Sequence, residues 1–384
     1  MILKYLIFEP ELVGEFSEEW RQCLKQIVYV RETGFRLIKL NVFTDQPDYD
    51  TYIKARREIG KSIQNAFGKQ CPAFNITVHP PEKPWKVVVE AGYADTDSTE
   101  FASNIWNSIP YVVCRSDYGK EIWAGGLGFG LFNSDTRSAA GAAFDQMKAI
   151  LDTEGMSFNH LVRQWNYIGD ILKIKHGFQN YQVFNEVRSE VYQKYRTIHG
   201  YPAATGIGMR LDGVSLDFCA VMANDYVMIK PIDNPNQVNA YEYGQDVLKG
   251  VAGKGKSVKH PPQFERALLM KGKKRSTLFI SGTASIIGQD IIGIEDIEKQ
   301  TVVTLDNISK LTDQKRIRQM IPDFDKEWGK YILLRVYVKN QIDFEKVKAI
   351  CKEYLPEVPS IFIESDICRD NLLVEIEAEF LINS

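Results

Sequence analysis

Near the end of the chain, Leu372-Leu373-Val374-Glu375-Ile376-Glu377-Ala378 alternates apolar and acidic residues. Side chains alternate across a strand, so Leu373, Glu375 and Glu377 share one face, and Leu372, Val374 and Ile376 line the other. The apolar face must cover a core. The other holds two carboxylates on a rigid element, and a carboxylate fixed beside a concavity suits general acid–base work. The competing reading is an antiparallel strand with a wet acidic face.

Other reactive patterns are sparse. His79, His160, His176, His199 and His260 never fall at HxH or HExxH spacing, so no metal site is expected. Cys23, Cys71, Cys114, Cys219, Cys351 and Cys368 form no CxxC pair, and the opening run Met1 to Glu9 reads as a first strand rather than a secretory leader. Reduced thiols and a cytoplasmic location are the expectation. The run Gly125-Gly126-Leu127-Gly128-Phe129-Gly130 lacks a P-loop lysine and dinucleotide spacing and reads as a tight turn. Lys254-Gly255-Lys256 and Lys271-Gly272-Lys273-Lys274-Arg275 read as solvated basic turns, with no aromatic platform for nucleic acid. The 384 residues carry a net charge of -3, which advertises neither a nucleic-acid nor a membrane partner. No run approaches the roughly 20 apolar residues of a membrane span.

The elements that must position the acidic strand recur. Ile122-Trp123-Ala124-Gly125-Gly126 resembles Phe279-Ile280-Ser281-Gly282-Thr283, each a strand running into a glycine. Helical segments follow at 138–151 and 297–311, then buried strands at 161–167 and 333–339. Second helices span 181–195 and 344–355, and a proline opens a strand pair at 202–222 and 359–381. This order predicts an α+β fold of two tandem domains, each a mixed sheet with helices on one face. Residues 1–70 are taken as an N-terminal appendage with an amphipathic helix at 52–67. The first domain then spans 71–232, with Trp85 to Ala91 in its added hairpin. A Pro-, Gly-, Asn- and Lys-rich linker covers 233–260, and the second domain 261–384.

The repeat resembles the reactive-intermediate deaminase fold, also called YjgF-like (chorismate-mutase-like), whose last strand commonly ends in Glu-Ile-Glu-Ala, as 375–378 does here. Deaminases of that fold carry an arginine two residues after the proline of the strand pair. The matching positions are Ala204 and Ile361, which argues against imine hydrolysis. Two such domains with this linker resemble the chorismatase family. The segments that carry the likeness are Trp165–Ile168, Tyr181–Asn185 with Arg188, Pro202–Gly208, Asn234–Tyr241, Pro261–Ala267, Ser281–Gly288 and Asp366–Ala378.

The resemblance implies cleavage of chorismate to pyruvate and a hydroxybenzoate without a cofactor. Its acid falls at Glu375, with Glu377 as the fallback. Gly282 with Cys368 resembles the type that makes 3-hydroxybenzoate; other members hydrolyse chorismate to a dihydroxycyclohexadienoate or form 4-hydroxybenzoate. Expected substrate-binding residues are Arg266 first, then Arg188 and Arg163, with Tyr167, Asn185, Tyr241, Gly282 and Thr283. Aligned by the repeat, Phe218 falls opposite Glu375, which makes the first domain structural and the second catalytic. Single-domain relatives form trimers; a tandem chain satisfies part of that interface itself, which is compatible with a monomer. The rivals are an imine or enamine deaminase and a non-catalytic regulator of the same fold.

Overall fold

The computed structural model of the chain describes every residue except 31–33, 129–133, 250, 252–257, 322–323, 325–327 and 384. The Lys254-Gly255-Lys256 turn, Phe129 and Gly130 lie outside the described residues.

Residues 3–95 build a sheet of their own: β1 (Leu3–Phe8), α1 (Phe16–Tyr29), β2 (Phe35–Thr44), α2 (Tyr49–Phe67), β3 (Ala73–Thr77) and β4 (Val87–Asp95), in the order β1-β4-β2-β3. The second unit runs β5 (Glu100–Trp106), β6 (Ile109–Ser116), β7 (Gly119–Leu127), α3 (Thr136–Thr153) and β8 (Leu161–Gly169). A short hairpin, β9 (Ile174–Lys175) and β10 (Phe178–Gln179), leads to α4 (Asn180–Tyr195), β11 (Ala203–Met209) and β12 (Val214–Ala223). The third runs β13 (Met228–Ile232), β14 (Ala267–Lys271), β15 (Arg275–Ala284), the hairpin β16 (Ile286–Ile287) and β17 (Asp290–Ile291), then α5 (Ile297–Leu311) and α6 (Gln314–Met320). It ends with β18 (Lys330–Val338), α7 (Phe344–Tyr354), β19 (Ser360–Glu364) and β20 (Val374–Asn383). The two large sheets read β11-β8-β12-β7-β6-β5 and β13-β14-β15-β20-β18-β19.

The tandem α+β pair read from the repeat is therefore present, each sheet mixed through the parallel pairs β8/β11 and β18/β19. The appendage is a correction. Residues 1–70 with β3 and β4 repeat the same strand–helix–strand–helix–strand–strand order, and β2/β3 is again the parallel pair. The strand at Trp85 to Ala91 belongs to this first sheet, pairing with β1 and β2. The third sheet begins at β13, ahead of the presumed linker, because Met228–Ile232 pairs with β14.

Local chemistry explains the elements. Asp135 and Asp296 cap α3 and α5 by accepting the amides of Ser138 and Lys299, which satisfies donors a helix start leaves open. The apolar face of β20, with Val374 and Ile376 fully buried, packs on Leu305, Ile308 and Val347 of α5 and α7. Each such side chain contributes about 1.5–3 kcal/mol when fully buried. Phe144, Phe184 and Leu216 fill the matching core of the second unit.

The opposite sheet faces meet one another around a common centre. Lys39 of the first unit bonds Asp217 of the second at 2.5 Å, Arg163 of the second bonds Glu377 of the third at 2.8 Å, and Arg335 of the third bonds Glu90 of the first at 2.6 Å. The three units thus close a ring. Registers, counted from the bulge that each strand pair shares, define equivalent positions within it: Asn41 lies opposite Glu90, Trp165 opposite Asp217, and Arg335 opposite Glu377. Ser215, which lies opposite Tyr167 as Glu375 lies opposite Tyr337, and not Phe218, is therefore the counterpart of Glu375. The bulges of β12 and β20 fall at the same place, and it is the longer connection from β19 to β20 that offsets the repeat.

Candidate active site

A cleft opens where the second unit meets the third. β15 contributes Gly282 and Ala284 to its wall, β20 contributes Glu375, and β11 contributes Ala204 and Gly206. Tyr181, at the start of α4, joins them. So do Tyr243, Phe264 and Arg266 from the segment ahead of β14, and Cys368 and Arg369 from the loop before β20.

Strand alternation decides which residues reach it. Gly282 and Ala284 face the cleft, and Thr283 between them turns away, its hydroxyl spent on the Ser281 carbonyl at 2.8 Å. A Cβ at 282 would stand 2.1 Å from Glu375 Oε1 and 3.0 Å from Thr205 Cγ2, so glycine is what lets the carboxyl lie against β15. Glu375 is 5% exposed and has neither ion pair nor hydrogen bond among the described residues. Burial pushes its carboxyl up to about 8. The neighbouring Glu377 charge adds to the rise, and Arg163 and Arg266 oppose it. At neutral pH the group carries its proton.

Glu377, two residues on, lives in the opposite environment. It accepts from Arg163 Nη2 and Trp165 Nε1 at 2.8 Å each, and also from Arg335 and Thr205. Burial raises its carboxyl, but Arg335 and Arg163 outweigh it and the net shift is downward. Glu377 is a buried structural anion outside the cleft wall, so the fallback acid is excluded by its partners. Cys368 does line the cleft. Burial, then the Glu375 charge, pushes its thiol up to about 12, so it is a neutral donor and not a thiolate.

Arg266 is 3% exposed. Its Nη2 donates to the Val238 carbonyl at 2.5 Å and to the Tyr243 hydroxyl at 2.7 Å, and its guanidinium lies 5.5 Å from the Tyr243 and Phe264 ring centroids. Its Nε is buried with no protein partner. Arg369 also stacks on Tyr243, 4.8 Å from the ring centroid. Two guanidinium groups facing one neutral carboxyl make a cationic, partly apolar cleft suited to an anionic ring compound.

Several expected residues sit elsewhere. Tyr167 is core, its ring 5.4 Å from that of His79 near the centre of the ring of units. Tyr241 packs on Tyr201 outside the cleft, and Tyr243 takes the place expected of it. Asn185 and Arg188 are buried on α4 and bond each other at 2.6 Å. Arg163 is committed to Glu377 and Thr205. The cleft thus gathers Glu375, Cys368, Arg266 and Gly282 from the expected set and omits Tyr167, Asn185, Arg188, Tyr241 and Thr283. Tyr181, Tyr243, Phe264 and Arg369 were missed. A signal existed: a stretch of some thirty residues between units, carrying Tyr243, Leu248 and Phe264, is too long and too apolar for a plain linker. Ala240, Tyr243 and Leu248 in fact form a small core of their own over the cleft.

Among the described residues, no three His, Cys, Asp or Glu side chains cluster as a metal site, and no helix is long and apolar enough to cross a membrane.

Comparison with known proteins gives a consistent picture. Residues 127–220 match the family model "Chorismatase FkbO/Hyg5-like, N-terminal". A 3-hydroxybenzoate synthase of Streptomyces hygroscopicus is 30% identical over 246 residues, covering 62% of this chain and 68% of that protein. A chorismatase of Streptomyces rapamycinicus is 31% identical over 255 residues, covering 63% and 70%. A crystal structure of a chorismatase superposes over 99% of both chains with a TM-score of 0.66 at 21% identity, which shows a shared fold. On this identity and coverage, the chain belongs to the chorismatase family.

Proposed function

We propose that the chain cleaves chorismate to pyruvate and 3-hydroxybenzoate, with Glu375 as the general acid. The observation that carries this reading is a carboxyl that holds its proton at neutral pH, unpaired, on the wall of a cationic cleft. Glu375 transfers that proton to the enol methylene carbon of the enolpyruvyl ether and becomes a carboxylate. The ether carbon becomes an oxocarbenium ion, which the nearby carboxylate stabilises. The neighbouring ring hydroxyl displaces pyruvate, and the resulting epoxide-like ring opens with loss of a ring proton, which returns to Glu375. Atoms balance without water or an oxidant, so aromatisation supplies the driving force and no cofactor is required.

Arg266 is the carboxylate clamp in this reading, its orphaned Nε and its stacking on Tyr243 and Phe264 favouring a planar anion. Cys368, protonated, donates rather than abstracts. An imine deaminase is disfavoured, because its arginine position is Ala204, which lines the same cleft. The test is incubation of the pure protein with chorismate, read by mass-resolved chromatography, beside Glu375→Gln. Pyruvate and 3-hydroxybenzoate in equal amounts, lost in the variant, support the reading. A non-aromatic diene diol overturns the product, and unchanged chorismate overturns the reaction.

A further inference from the structure

The second unit turns a tyrosine hydroxyl into the cleft where the other two units offer none. Registers counted from the shared bulge make Ile76, Gly206 and Phe362 equivalent, opposite Val42, Asn166 and Val336. In the first unit Tyr52 of α2 reaches this position and donates to the Ile76 carbonyl at 2.6 Å, so its hydroxyl is spent on the fold. In the third unit Phe362 fills the position, with Lys348 of α7 5.5 Å from its ring centroid. In the second unit Tyr181 of α4 lies over Gly206. A Cβ there would stand 3.1 Å from Tyr181 Cε2 and 3.4 Å from its hydroxyl oxygen, so glycine makes room for the ring.

Tyr181 forms part of the cleft wall with Glu375 and Cys368, and its hydroxyl has no hydrogen-bond partner among the described residues. Burial, then the neighbouring Cys368, pushes its phenol up, so it keeps its own proton. The polar groups of the cleft thus sort by charge. Chorismate brings two carboxylates and one ring hydroxyl. The guanidinium groups of Arg266 and Arg369 match the carboxylates. A neutral hydroxyl both donates and accepts, so it matches the ring hydroxyl, which sits on the carbon next to the one that carries the enolpyruvyl ether.

We propose that Tyr181 is a specificity-determining residue that holds the ring hydroxyl of the substrate toward the ring carbon it must attack. This rests on the reaction proposed above. With the hydroxyl so held, its oxygen bonds to the ring carbon as the bond from that carbon to the pyruvate oxygen breaks, and the aromatic product follows. Without that hold, water adds to the oxocarbenium carbon, and the hemiketal collapses to pyruvate and a diene diol as one proton of the water returns to Glu375. Tyr181 gains and loses no proton in either course. It decides which oxygen attacks, and not whether pyruvate leaves.

The experiment is turnover of chorismate by pure Tyr181→Phe beside the parent protein, with pyruvate, 3-hydroxybenzoate and diene diol quantified from one incubation. Pyruvate release should stay within about tenfold of the parent, while the ratio of diene diol to 3-hydroxybenzoate rises by about three- to tenfold, the worth of one neutral hydrogen bond. Gly206→Ala, whose methyl displaces the ring without removing its hydroxyl, should shift the ratio the same way by less, and it serves if Tyr181→Phe does not fold. Tyr52→Phe, at the equivalent place in the first unit, should lower the Tm and leave the ratio unchanged, which separates placement of the hydroxyl from general loosening. A parent protein that leaves chorismate untouched, or already makes the diene diol, overturns the proposed reaction and this inference with it. A parent that makes 3-hydroxybenzoate while Tyr181→Phe keeps the parent ratio overturns the inference alone. So does a Tyr181→Phe that loses pyruvate release as fully as Glu375→Gln, since the phenol would then belong to the protonation step.

Discussion

The cleft at Gly282 and its counterpart at Gly125–Gly126 are built from the same strands and end in opposite states. A Cβ at Gly282 would strike the Glu375 carboxyl; in the other cleft Ser215 stands where Glu375 does, and the nearest carboxylate is Asp217, the counterpart of Glu377, 2.9 Å from a Cβ at Gly125. At Gly125 the space is taken by cations. Lys39 Nζ stands 2.8 Å from the Cβ position, and Arg56 reaches the Gly126 carbonyl next to it at 3.4 Å. Asp217 is further tied by the Gly126 amide at 2.8 Å. At Gly282 the corresponding cation, Arg163, is spent on Glu377, and the cleft beside Glu375 is lined by Tyr243, Phe264 and Leu248. An ion pair makes one cleft a structural joint. Its absence leaves the other with a neutral carboxyl, as the proposed reaction requires. Carboxylate position alone does not distinguish an acid from a strut; its partners do.

The sharpest test of that contrast sets the unpaired carboxyl of one cleft against the ion-paired carboxylate of the other. Glu375→Gln keeps shape and removes the proton to be donated, so kcat should fall by about 10²–10⁴-fold, the usual worth of a general acid. Asp217→Asn should do the reverse. It leaves Lys39 buried beside a neutral amide, which costs about 3–5 kcal/mol of stability in urea unfolding. The fraction that remains folded should turn over chorismate at close to the parent rate. If Asp217→Asn abolished turnover without loss of stability, the division between the two clefts would be wrong.

Next in size is Gly282→Ala. Its methyl would meet Glu375 Oε1 at 2.1 Å and Thr205 Cγ2 at 3.0 Å. The carboxyl is the free end of a side chain and moves first, so stability should change little. Misplacing the proton donor by about 1 Å costs on the order of 10²-fold. Steady-state pyruvate release measures it. An unchanged rate would show that the carboxyl has room to work from another rotamer.

The pH dependence is gentler and its sign follows from the two carboxylates of β20. Glu375 must be protonated to act, so kcat should fall as pH rises through about 8, roughly tenfold for each further unit. Its ordinary value is 4.5. Between that pH and about 8 the folded state holds a proton at Glu375 that the unfolded state has lost, so this residue lowers stability as pH rises across that window. Glu377 is shifted down, so its contribution is present above its ordinary range and is lost as the solution is acidified. Glu375→Gln should therefore flatten the stability profile above pH 5 while leaving the acid limb intact. Thermal melts across pH 4–9 read both.

The acidic strand was legible because period-two alternation carries its own face assignment, and the repeat was legible because helices and glycine-terminated strands survive divergence. The first unit was hidden for a physical reason. Its β1 places Ile7 opposite Glu90 and offers no glycine turn like Gly125 or Gly282, so the motif that marked the other copies is missing. The counterpart of Glu375 was placed at Phe218 instead of Ser215 because the connection into β20 is longer than that into β12, and a constant repeat spacing does not register such an insertion. Tyr167, Asn185 and Arg188 looked like ligand residues because they are polar side chains in apolar runs. In the fold they meet one another and the core, and only the packing of three sheets around one centre decides which buried polar groups face substrate.

The smallest expected effect concerns Cys368. It shares the cleft with Glu375, yet a thiol pushed up to about 12 by burial and by the Glu375 charge holds its proton throughout the working range. It cannot act as a base there, and as a donor it is far weaker than a carboxyl near 8. Cys368→Ala should accordingly leave pyruvate release within about tenfold of the parent, since protonation of the enol carbon does not pass through it. In the proposed reaction its contribution belongs to the later step, in which the ring settles into one aromatic product, and there the loss of a donor and of side-chain volume should appear as a second product. Chromatography of the aromatic fraction beside a pyruvate assay separates the two. If pyruvate release in Cys368→Ala instead fell to the level of Glu375→Gln, the proton path would run through sulfur. The contrast between the two clefts would then rest on the loop before β20 rather than on the missing ion pair.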